Sequence, residues 1–359
     1  MTNPERTVAA ETIHVALAVY DPRGTYSQHA GVVMASIFEN TRSPVCVHIL
    51  HDESLSGENR EKFLSLAERY AQNVVFHDMS EYVKRLGPDI LRLVDNHFSP
   101  GSIYRLFAPQ ALPMEKVVYL DSDIVVNLDI KDLWEIPLEG CCLMGVPDAP
   151  FSKAAQKRLS LNGIRCRLNG CDPSNYVNSG VLVMNLRWMR EHHDMVGECS
   201  QWLLRHKHTA ALPDQDFLNA FFRGRIKLAN ARFNRCNPYY GDPSNSILHA
   251  TRAKPWAEYK GTSIEPLYWK TLLKTPWAAT PESCIDALYS CLASAPLFHR
   301  HTSACYKKIF KRLIFDTFGF PVSLFQILII LLREERIRLR QKAGRGADAP
   351  QSKSEGRNG

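Results

Sequence analysis

The chain has 359 residues, of which 45% are hydrophobic, and its formal net charge is +7. This length and composition suffice for one large α/β domain with an appendage, or for two domains. The charge is local, because residues 300–359 contain 13 Lys and Arg against 5 Asp and Glu, and the remainder is close to neutral. This distribution excludes a uniformly basic nucleic-acid-binding protein, and we expect no nucleic-acid partner.

The cysteine pattern bears on metal binding and on the cellular compartment. None of the ten cysteines forms a Cys-x-x-Cys pair, and Cys141 with Cys142 or Cys166 with Cys171 lacks zinc-knuckle spacing. A structural zinc site is therefore the weaker alternative to reduced, packed thiols. Because the first residues are polar and do not resemble a secretory signal, we expect a cytoplasmic protein.

Predicted strands and helices alternate along the N-terminal half. The pattern predicts strands over 13–19, 45–50 and 74–76, and helices over 26–38 and 57–70. This alternation is typical of right-handed βαβ units, so we predict an α/β protein with a Rossmann-like parallel sheet. The sequence has no Gly-x-Gly-x-x-Gly fingerprint and no Walker lysine motif, which argues against NAD enzymes and P-loop NTPases.

Two carboxylates, Asp121 and Asp123, follow a further predicted strand over 117–120. Burying two unpaired acids would cost several kcal/mol each, so they need a cation, and a divalent metal with oxygen ligands fits. Ligands bind beyond the carboxyl ends of strands in such sheets. The loop at Tyr20 and Asp21 also follows a strand and is expected at the same site. A solvated turn remains the simpler interpretation of Asp-x-Asp taken alone.

Polar residues also surround two predicted elements downstream. Asn178 lies at the start of a strand predicted over 176–186, which a helix over about 187–205 follows. The segment 214–216 precedes an apolar helix. Asp214 alone would serve as a helix cap, but three polar residues in succession exceed what capping needs.

His249 and Lys254 are candidates for the same site. A single histidine is more often structural, yet a neutral imidazole can complete a metal site that contains two carboxylates. Lys254 precedes a Pro-Trp pair that restricts its position, and such a lysine suits a diphosphate.

Six motifs, in this order, resemble glycosyltransferase family 8, which includes glycogenin and bacterial lipopolysaccharide galactosyl- and glucosyltransferases. They are Tyr20-Asp21, Tyr104-Arg105-Leu106, Asp121-Ser122-Asp123, Asn178-Ser179-Gly180, Asp214-Gln215-Asp216, and His249 with Lys254-Pro255-Trp256. The resemblance covers about residues 13–258. It implies a GT-A fold, a Rossmann-like mixed sheet flanked by helices, with a metal-dependent nucleotide-sugar site.

The resemblance also implies roles for the matching residues. Mn²⁺, or Mg²⁺ less well, would be bound by Asp121, Asp123 and His249. The nucleotide would be contacted by Tyr20, Asp21, Thr25, Tyr26, Ser122, Arg252 and Lys254, with Lys254 at the diphosphate. The donor sugar and its reacting carbon would be surrounded by Arg105, Asn178, Asp214, Gln215 and Asp216.

Two positions depart from the family pattern. Arg252 lies where many relatives have a glycine that lets the backbone approach the phosphates, so its guanidinium adds a phosphate contact or the loop is shifted. The first loop is also longer than in some relatives, because residues 22–24 are extra. This loop therefore leaves the individual uridine contacts open.

The implied activity is retaining transfer of a hexose, galactose or glucose, from a UDP-sugar to a glycan acceptor such as the lipopolysaccharide core or a lipid-linked glycan. Retention is commonly achieved with a carboxylate nucleophile. The position that faces C1 in relatives is Gln215 here, which favours same-face attack by the acceptor over a covalent intermediate. Two other functions stay open: an inactive protein that binds nucleotide-sugar or membrane, and a nucleotidyltransferase.

The C-terminal region predicts membrane attachment. The apolar stretch over 318–332 is about 15 residues long, short of the ~20 that span a bilayer, and a basic segment over 333–342 follows. Such a segment lies in the interface of an anionic membrane, here the cytoplasmic face of the inner membrane. A helix pair packed on the domain is the alternative. We therefore expect a catalytic domain over 1–275, a helical extension over 276–342 and a disordered tail over 343–359.

Overall fold

A mixed β-sheet forms the centre of the protein. The computed structural model describes residues 11–87, 90, 99–148, 160–236, 238–257 and 260–278, which all fall within the compact unit Met1–Cys284. In these residues, seven strands pair in the order β3-β2-β1-β4-β7-β6-β8. They are β1 Ile13–Val19, β2 Val45–His51, β3 Asn73–Asp78, β4 Lys116–Leu120, β6 Leu143–Pro147, β7 Val177–Asn185 and β8 Ile226–Leu228.

The strand directions confirm a Rossmann-like first half within a mixed sheet. β3, β2, β1 and β4 are parallel to one another. β7 is antiparallel to both β4 and β6, and β8 is parallel to β6. A smaller sheet consists of β5 Ile124–Asn127, β9 Arg235–Cys236 and β10 Ser246–His249, with β10 in the middle.

Helices cover both faces of the central sheet. They are α1 Ser27–Asn40, α2 Gly57–Arg69, α3 Ser80–Arg85, α4 Gly101–Ala111, α5 Lys131–Trp134, α6 Leu161–Leu168, α7 Leu186–His192, α8 Met195–His206, α9 Pro213–Phe221, α10 Ile264–Leu272, and the 3₁₀-helix Ala231–Phe233. The faces of β1 differ in size. Leu17 and its large neighbours pack under α1 and α2, whereas Ala16 and Ala18 pack under α4, because alternate side chains point to opposite faces.

Two predicted boundaries were wrong. The helix predicted over 187–205 is interrupted, because His193 has extended backbone angles and its ring packs on Phe221 and Phe222. The segment 214–216 lies inside the first turn of α9 and not before it, because Pro213 takes the first helical position.

The loop after β4 is fixed to both neighbouring strands. The Asp121 N–H donates to the Gly180 carbonyl of β7 (2.8 Å), and the Ser122 hydroxyl donates to the Ala18 carbonyl of β1 (2.7 Å). The acidic pair therefore lies at the carboxyl edge of the sheet, where β1 also ends.

The predicted membrane-interface extension over 276–342 and the predicted disordered tail over 343–359 lie, from residue 279 onward, outside the described residues. Within the described residues, no helix combines the length and the apolar character needed to cross a bilayer.

Candidate active site

Three side chains of metal-ligand type meet at the carboxyl edge of the sheet. One ligand atom from each of Asp121, Asp123 and His249 lies within 4.8 Å of the other two. His249 reaches this position because β10 pairs with β5 and places it opposite Ile124, the residue after Asp123. Its Nε2 lies 3.1 Å from Asp123 Oδ1 and 3.7 Å from Asp121 Oδ2.

A chain of hydrogen bonds fixes the orientation of the His249 ring. The Gly180 backbone N–H donates to Asn178 Oδ1 (3.0 Å), and the same oxygen accepts from Asn234 Nδ2 (2.8 Å). Asn234 therefore presents Oδ1 to His249 Nδ1 at 3.0 Å, so Nδ1 carries a proton and donates it. Nε2 faces the two carboxylates. Metal-binding histidines are commonly held by such an outer hydrogen bond.

The electrostatics of this cluster require a positive charge. In the described part of the chain, the buried Asp123 Oδ1 accepts no hydrogen bond, and a neutral His249 would point a lone pair at it. Burial alone would lower the pKa of His249, but the Asp123 carboxylate outweighs it and raises that pKa to about 10. A proton or a divalent cation on Nε2 satisfies both atoms. Two carboxylates and an imidazole suit Mn²⁺, so these residues fit the expected metal.

Gly180 lets these groups approach each other. A Cβ at this position would lie 2.2 Å from His249 Cε1 and 2.7 Å from Asp121 Oδ2. Neither contact is tolerable, since carbon atoms in contact stay beyond about 3.5 Å. Only glycine therefore fits between the imidazole and the carboxylate.

Arg105 joins the cluster of Asp121, Asp123 and His249 to the start of α9. Its buried guanidinium lies 2.8 Å from Asp121 Oδ1 and 3.4 Å from Asp214 Oδ2, and it donates to the Ser179 carbonyl (2.6 Å). Although burial would lower the pKa of Arg105, Asp121 and its other anionic neighbours raise it. Burial raises the pKa of the Asp214 carboxyl. The positive charge of Arg105 acts in the opposite direction but is the smaller effect. Arg105 thus holds β4, β7 and α9 in one geometry.

Gln215 is held from both ends of its amide. Its Oε1 accepts from the Ser179 N–H (2.9 Å) and from Asn178 Nδ2 (3.2 Å), and its Nε2 donates to Asp148 Oδ2 (3.1 Å). The Ser179 N–H is always a donor, so the oxygen and nitrogen of this amide are assigned without ambiguity.

A cavity of about 310 Å³ lies beside these residues. Its lining includes Ser179 and seven predicted site residues: Tyr20, Tyr26, Arg105, Asp121, Ser122, Asp214 and Gln215. The cavity thus runs from the loop after β1 to the start of α9. Its polar side chains suit a polar ligand such as a nucleotide-sugar.

The predicted nucleotide residues differ in their placement. Asp21 is buried and accepts from the backbone N–H groups of Tyr26 (2.7 Å) and Ser27 (2.9 Å) at the start of α1, so its carboxylate fixes this loop. Thr25 and Arg252 are exposed and are not among the residues that line the cavity.

The Lys254 loop is anchored on two helices. Trp256 stacks on His29 of α1 with ring centroids 3.5 Å apart, and Trp269 of α10 donates to the Pro255 carbonyl (3.2 Å). The Lys254 ammonium contacts Asp123 and donates to the Ala250 carbonyl (2.6 Å). Lys254 thus lies directly beside the candidate metal ligands.

Asp216 lies apart from the residues that line the cavity. Its carboxylate accepts from the Tyr176 hydroxyl (2.6 Å) and from the Ala211 and Leu212 N–H groups (2.9 and 3.2 Å). This pattern caps α9 and ties it to the segment before β7.

Sequence reasoning assigned no role to Asn234. Its role is to accept a hydrogen bond from His249, which lies 15 residues further along the chain. Sequence spacing gave no signal for that contact. Gly180 was part of a motif, but its steric role follows only from the position of His249.

The comparisons with known proteins agree with this geometry. The model of the family "Glycosyl transferase family 8" matches residues 18–259. The chain belongs to glycosyltransferase family 8. This match confirms the family resemblance in the sequence.

Similar proteins in this family include a putative glycosyltransferase of Haemophilus influenzae, 26% identical over 58% of this chain and 60% of its own length. The lipopolysaccharide 1,2-glucosyltransferase of Escherichia coli K12 is 25% identical over 75% of this chain and 80% of its own length. A match to glycosyltransferase GlyF of Streptococcus pneumoniae covers 42% of that protein. The chain thus spans about half the length of some curated relatives.

Among solved structures, the galactosyltransferase LgtC in complex with donor and acceptor sugar analogues has a TM-score of 0.62 at 22% identity. The similarity covers 77% of this chain and all of that structure. At this identity it shows a shared fold, which confirms the mixed sheet flanked by helices.

A methyl group at Gly180 should disrupt the metal cluster. We expect Gly180→Ala to weaken Mn²⁺ binding at least about tenfold, as loss of groups that orient metal ligands does. Isothermal titration of the full chain with Mn²⁺ measures the affinity, and circular dichroism checks the fold.

Gly57→Ala is the matched control, because a Cβ there meets no atom within 4 Å. Wild-type Mn²⁺ affinity in folded Gly180→Ala would contradict the steric role of this glycine.

Proposed function

We propose that this protein is a retaining glycosyltransferase that moves a hexose, galactose or glucose, from a UDP-sugar to a glycan acceptor. The observation that carries the proposal is the contact of Asp121, Asp123 and His249 beside a cavity that Gln215 and Asp214 also line. This arrangement joins side chains suited to a diphosphate-bound cation with polar side chains suited to a sugar.

The metal half of the site would support departure of the diphosphate. Asp121, Asp123 and His249 would hold Mn²⁺, or Mg²⁺ less well, and the ion would neutralise the charge that grows on the diphosphate as the C1–O bond breaks. Lys254 contacts Asp123 and would donate to the same diphosphate. Three carboxylates here contact Arg105, Lys254 and the protonated His249. A divalent cation that displaces the imidazole proton would add one positive charge to the pocket, which favours binding of the anionic donor together with the cation.

The nucleoside would lie toward the loop after β1. Tyr20 and Tyr26 line that part of the cavity, and Asp21 holds the loop on α1. Thr25 and Arg252 lie on the exposed side, where they would contact a nucleotide only at its outer edge.

The sugar would lie near Arg105, Asn178, Asp214 and Gln215. The amide of Gln215 is neutral and a weak nucleophile, and its oxygen is engaged by Ser179 and Asn178. We therefore favour same-face displacement. The acceptor hydroxyl oxygen bonds to C1, the C1–O bond to the diphosphate breaks, and the hydroxyl proton passes to the departing phosphate oxygen.

The acceptor is proposed to be a surface glycan such as the lipopolysaccharide core, in line with the name of the Escherichia coli relative. A lipid-linked acceptor would lie at the cytoplasmic face of the inner membrane. The basic and apolar sequence over 306–342 supports peripheral attachment there.

A donor assay tests the proposed reaction. Incubated with Mn²⁺ and a panel of UDP-sugars, the wild-type chain should release UDP from one UDP-hexose. Asp123→Asn should reduce that rate by on the order of 10²-fold or more, because a metal ligand contributes several kcal/mol to transition-state stabilisation.

Asp132→Asn is the control, since Asp132 is a half-exposed partner of Arg232 on the surface. Full activity of Asp123→Asn would refute the metal assignment. Bound UDP without turnover of any donor would favour the inactive binding protein, and release of pyrophosphate would favour a nucleotidyltransferase.

The proposed membrane attachment has its own test. A chain ending at residue 310 should lose sedimentation with vesicles that contain anionic lipid, because residues 311–359 carry 10 Lys and Arg against 5 Asp and Glu, and this net charge of +5 is removed with the apolar stretch. Donor hydrolysis should persist, since the described site residues end before that point. Unchanged sedimentation of the shortened chain would refute attachment through the tail.

A further inference from the structure

A second cluster of metal-ligand side chains lies at the opposite edge of the sheet. His14 of β1 and Cys46 of β2 are register partners, and His48 lies two residues further along β2. Residues two apart in a strand point to the same face. These three side chains therefore share one face of the sheet, on the side where Ala16 and Ala18 pack under α4.

The geometry of this cluster is close to that of a metal site. His14 Nδ1 lies 3.0 Å from His48 Nε2, and one ligand atom from each of His14, Cys46 and His48 lies within 4.8 Å of the others. In a tetrahedral zinc site the ligand atoms lie roughly 3.4 to 3.6 Å apart, from Zn–N and Zn–S bonds of about 2.0 and 2.3 Å. Small side-chain rotations therefore suffice to bring the three atoms onto one ion.

A third histidine orients the second one. His48 Nδ1 lies 3.0 Å from His77 Nε2 on β3. In the tautomer with its proton on Nδ1, His48 donates a hydrogen bond to His77 Nε2 and presents the lone pair of its own Nε2 toward His14 and Cys46. This is the outer hydrogen bond that metal-binding histidines commonly have. His77 is thus a positioning residue for His48.

The contact between His14 Nδ1 and His48 Nε2 is a hydrogen bond, so one of the two nitrogens carries a proton. Ligation would move the His14 proton from Nδ1 to Nε2 and remove the proton of the Cys46 thiol, because metal binding displaces protons from its ligand atoms.

This cluster is separate from the candidate active site. His14 lies at the amino end of β1, whereas Asp21 and Asp121 follow the carboxyl ends of β1 and β4. A strand of this length spans roughly 20 Å at about 3.3 Å per residue. The ligand types differ as well, because imidazole with thiolate selects softer ions than a pair of carboxylates does.

We propose that His14, Cys46 and His48 form a second metal site, for a borderline-soft divalent transition ion such as Zn²⁺. The ion would join β1 to β2, and water would complete its coordination, because His14 is only half-buried. This proposal does not rest on the proposed glycosyltransferase reaction.

A cobalt titration of the full chain tests the proposal. Co²⁺ bound to a thiolate gives a ligand-to-metal charge-transfer absorption, which a site of carboxylates and imidazole alone lacks. We expect this absorption to appear with one equivalent bound, and to disappear when Zn²⁺ is added in slight excess. Cys46→Ser should abolish it.

Two further variants make the result specific. Cys236→Ser should keep the absorption, although Cys236 Sγ lies 3.5 Å from Asn234 Oδ1 beside the candidate active site. His14→Gln retains the thiol and should weaken Co²⁺ binding at this site at least about tenfold, which separates loss of a ligand from misfolding of Cys46→Ser.

Absence of the thiolate absorption in the wild-type chain would overturn the proposal. Its persistence in Cys46→Ser, its loss in Cys236→Ser, or wild-type affinity in His14→Gln would do the same.

Discussion

The structure depends on one electrostatic constraint: the buried carboxylate of Asp123 and the partly buried one of Asp121 face an imidazole whose Nδ1 already donates a hydrogen bond. Asn234 Oδ1 accepts a hydrogen bond from His249 Nδ1–H, so Nε2 points at Asp121 and Asp123. This arrangement is stable only with a positive charge between the three groups. The surrounding chain is built to hold that geometry, with Gly180 beneath it.

The charged groups around this cluster form one connected network. Arg105 bridges Asp121 and Asp214, and Lys254 contacts Asp123. Because Arg105, Lys254 and the protonated His249 balance the three carboxylates, a divalent ion that replaces the imidazole proton would make the local charge positive and suit the site to an anionic diphosphate. Arg105 also ties the loop after β4 to β7 and α9, so the proposed cation-binding and sugar-facing parts are held together. Binding of the cation and binding of the donor are therefore expected to be linked.

Local sequence patterns predicted the first half of the fold well. The strand over 13–19 and the helices that follow it match the structure closely, because apolar periodicity and buried runs are local properties. The rule that ligands bind beyond strand carboxyl ends correctly brought Tyr20 and Asp121 to one cavity. The break at His193 was not predictable, because it depends on packing against Phe221 and Phe222 from another helix.

The residues that form the site were easier to predict than the contacts between them. The metal-ligand types of Asp121, Asp123 and His249 were visible in sequence, but the pairing of β10 with β5 joins segments more than 100 residues apart. No local pattern fixes such a register. The same holds for Asn234, whose role exists only through His249, and for Asp216, whose carboxylate caps α9. The His14–Cys46–His48 cluster likewise arises from strand register and not from sequence spacing.

The most direct test of this account is a crystal structure of the chain grown with Mn²⁺ and UDP, with anomalous diffraction recorded at the manganese edge. We predict an anomalous peak within bonding distance of Asp121, Asp123 and His249 Nε2, with diphosphate oxygens on the same ion and Lys254 turned toward them. A manganese peak elsewhere, or UDP bound while Nε2 remains in contact with Asp123 alone, would contradict it.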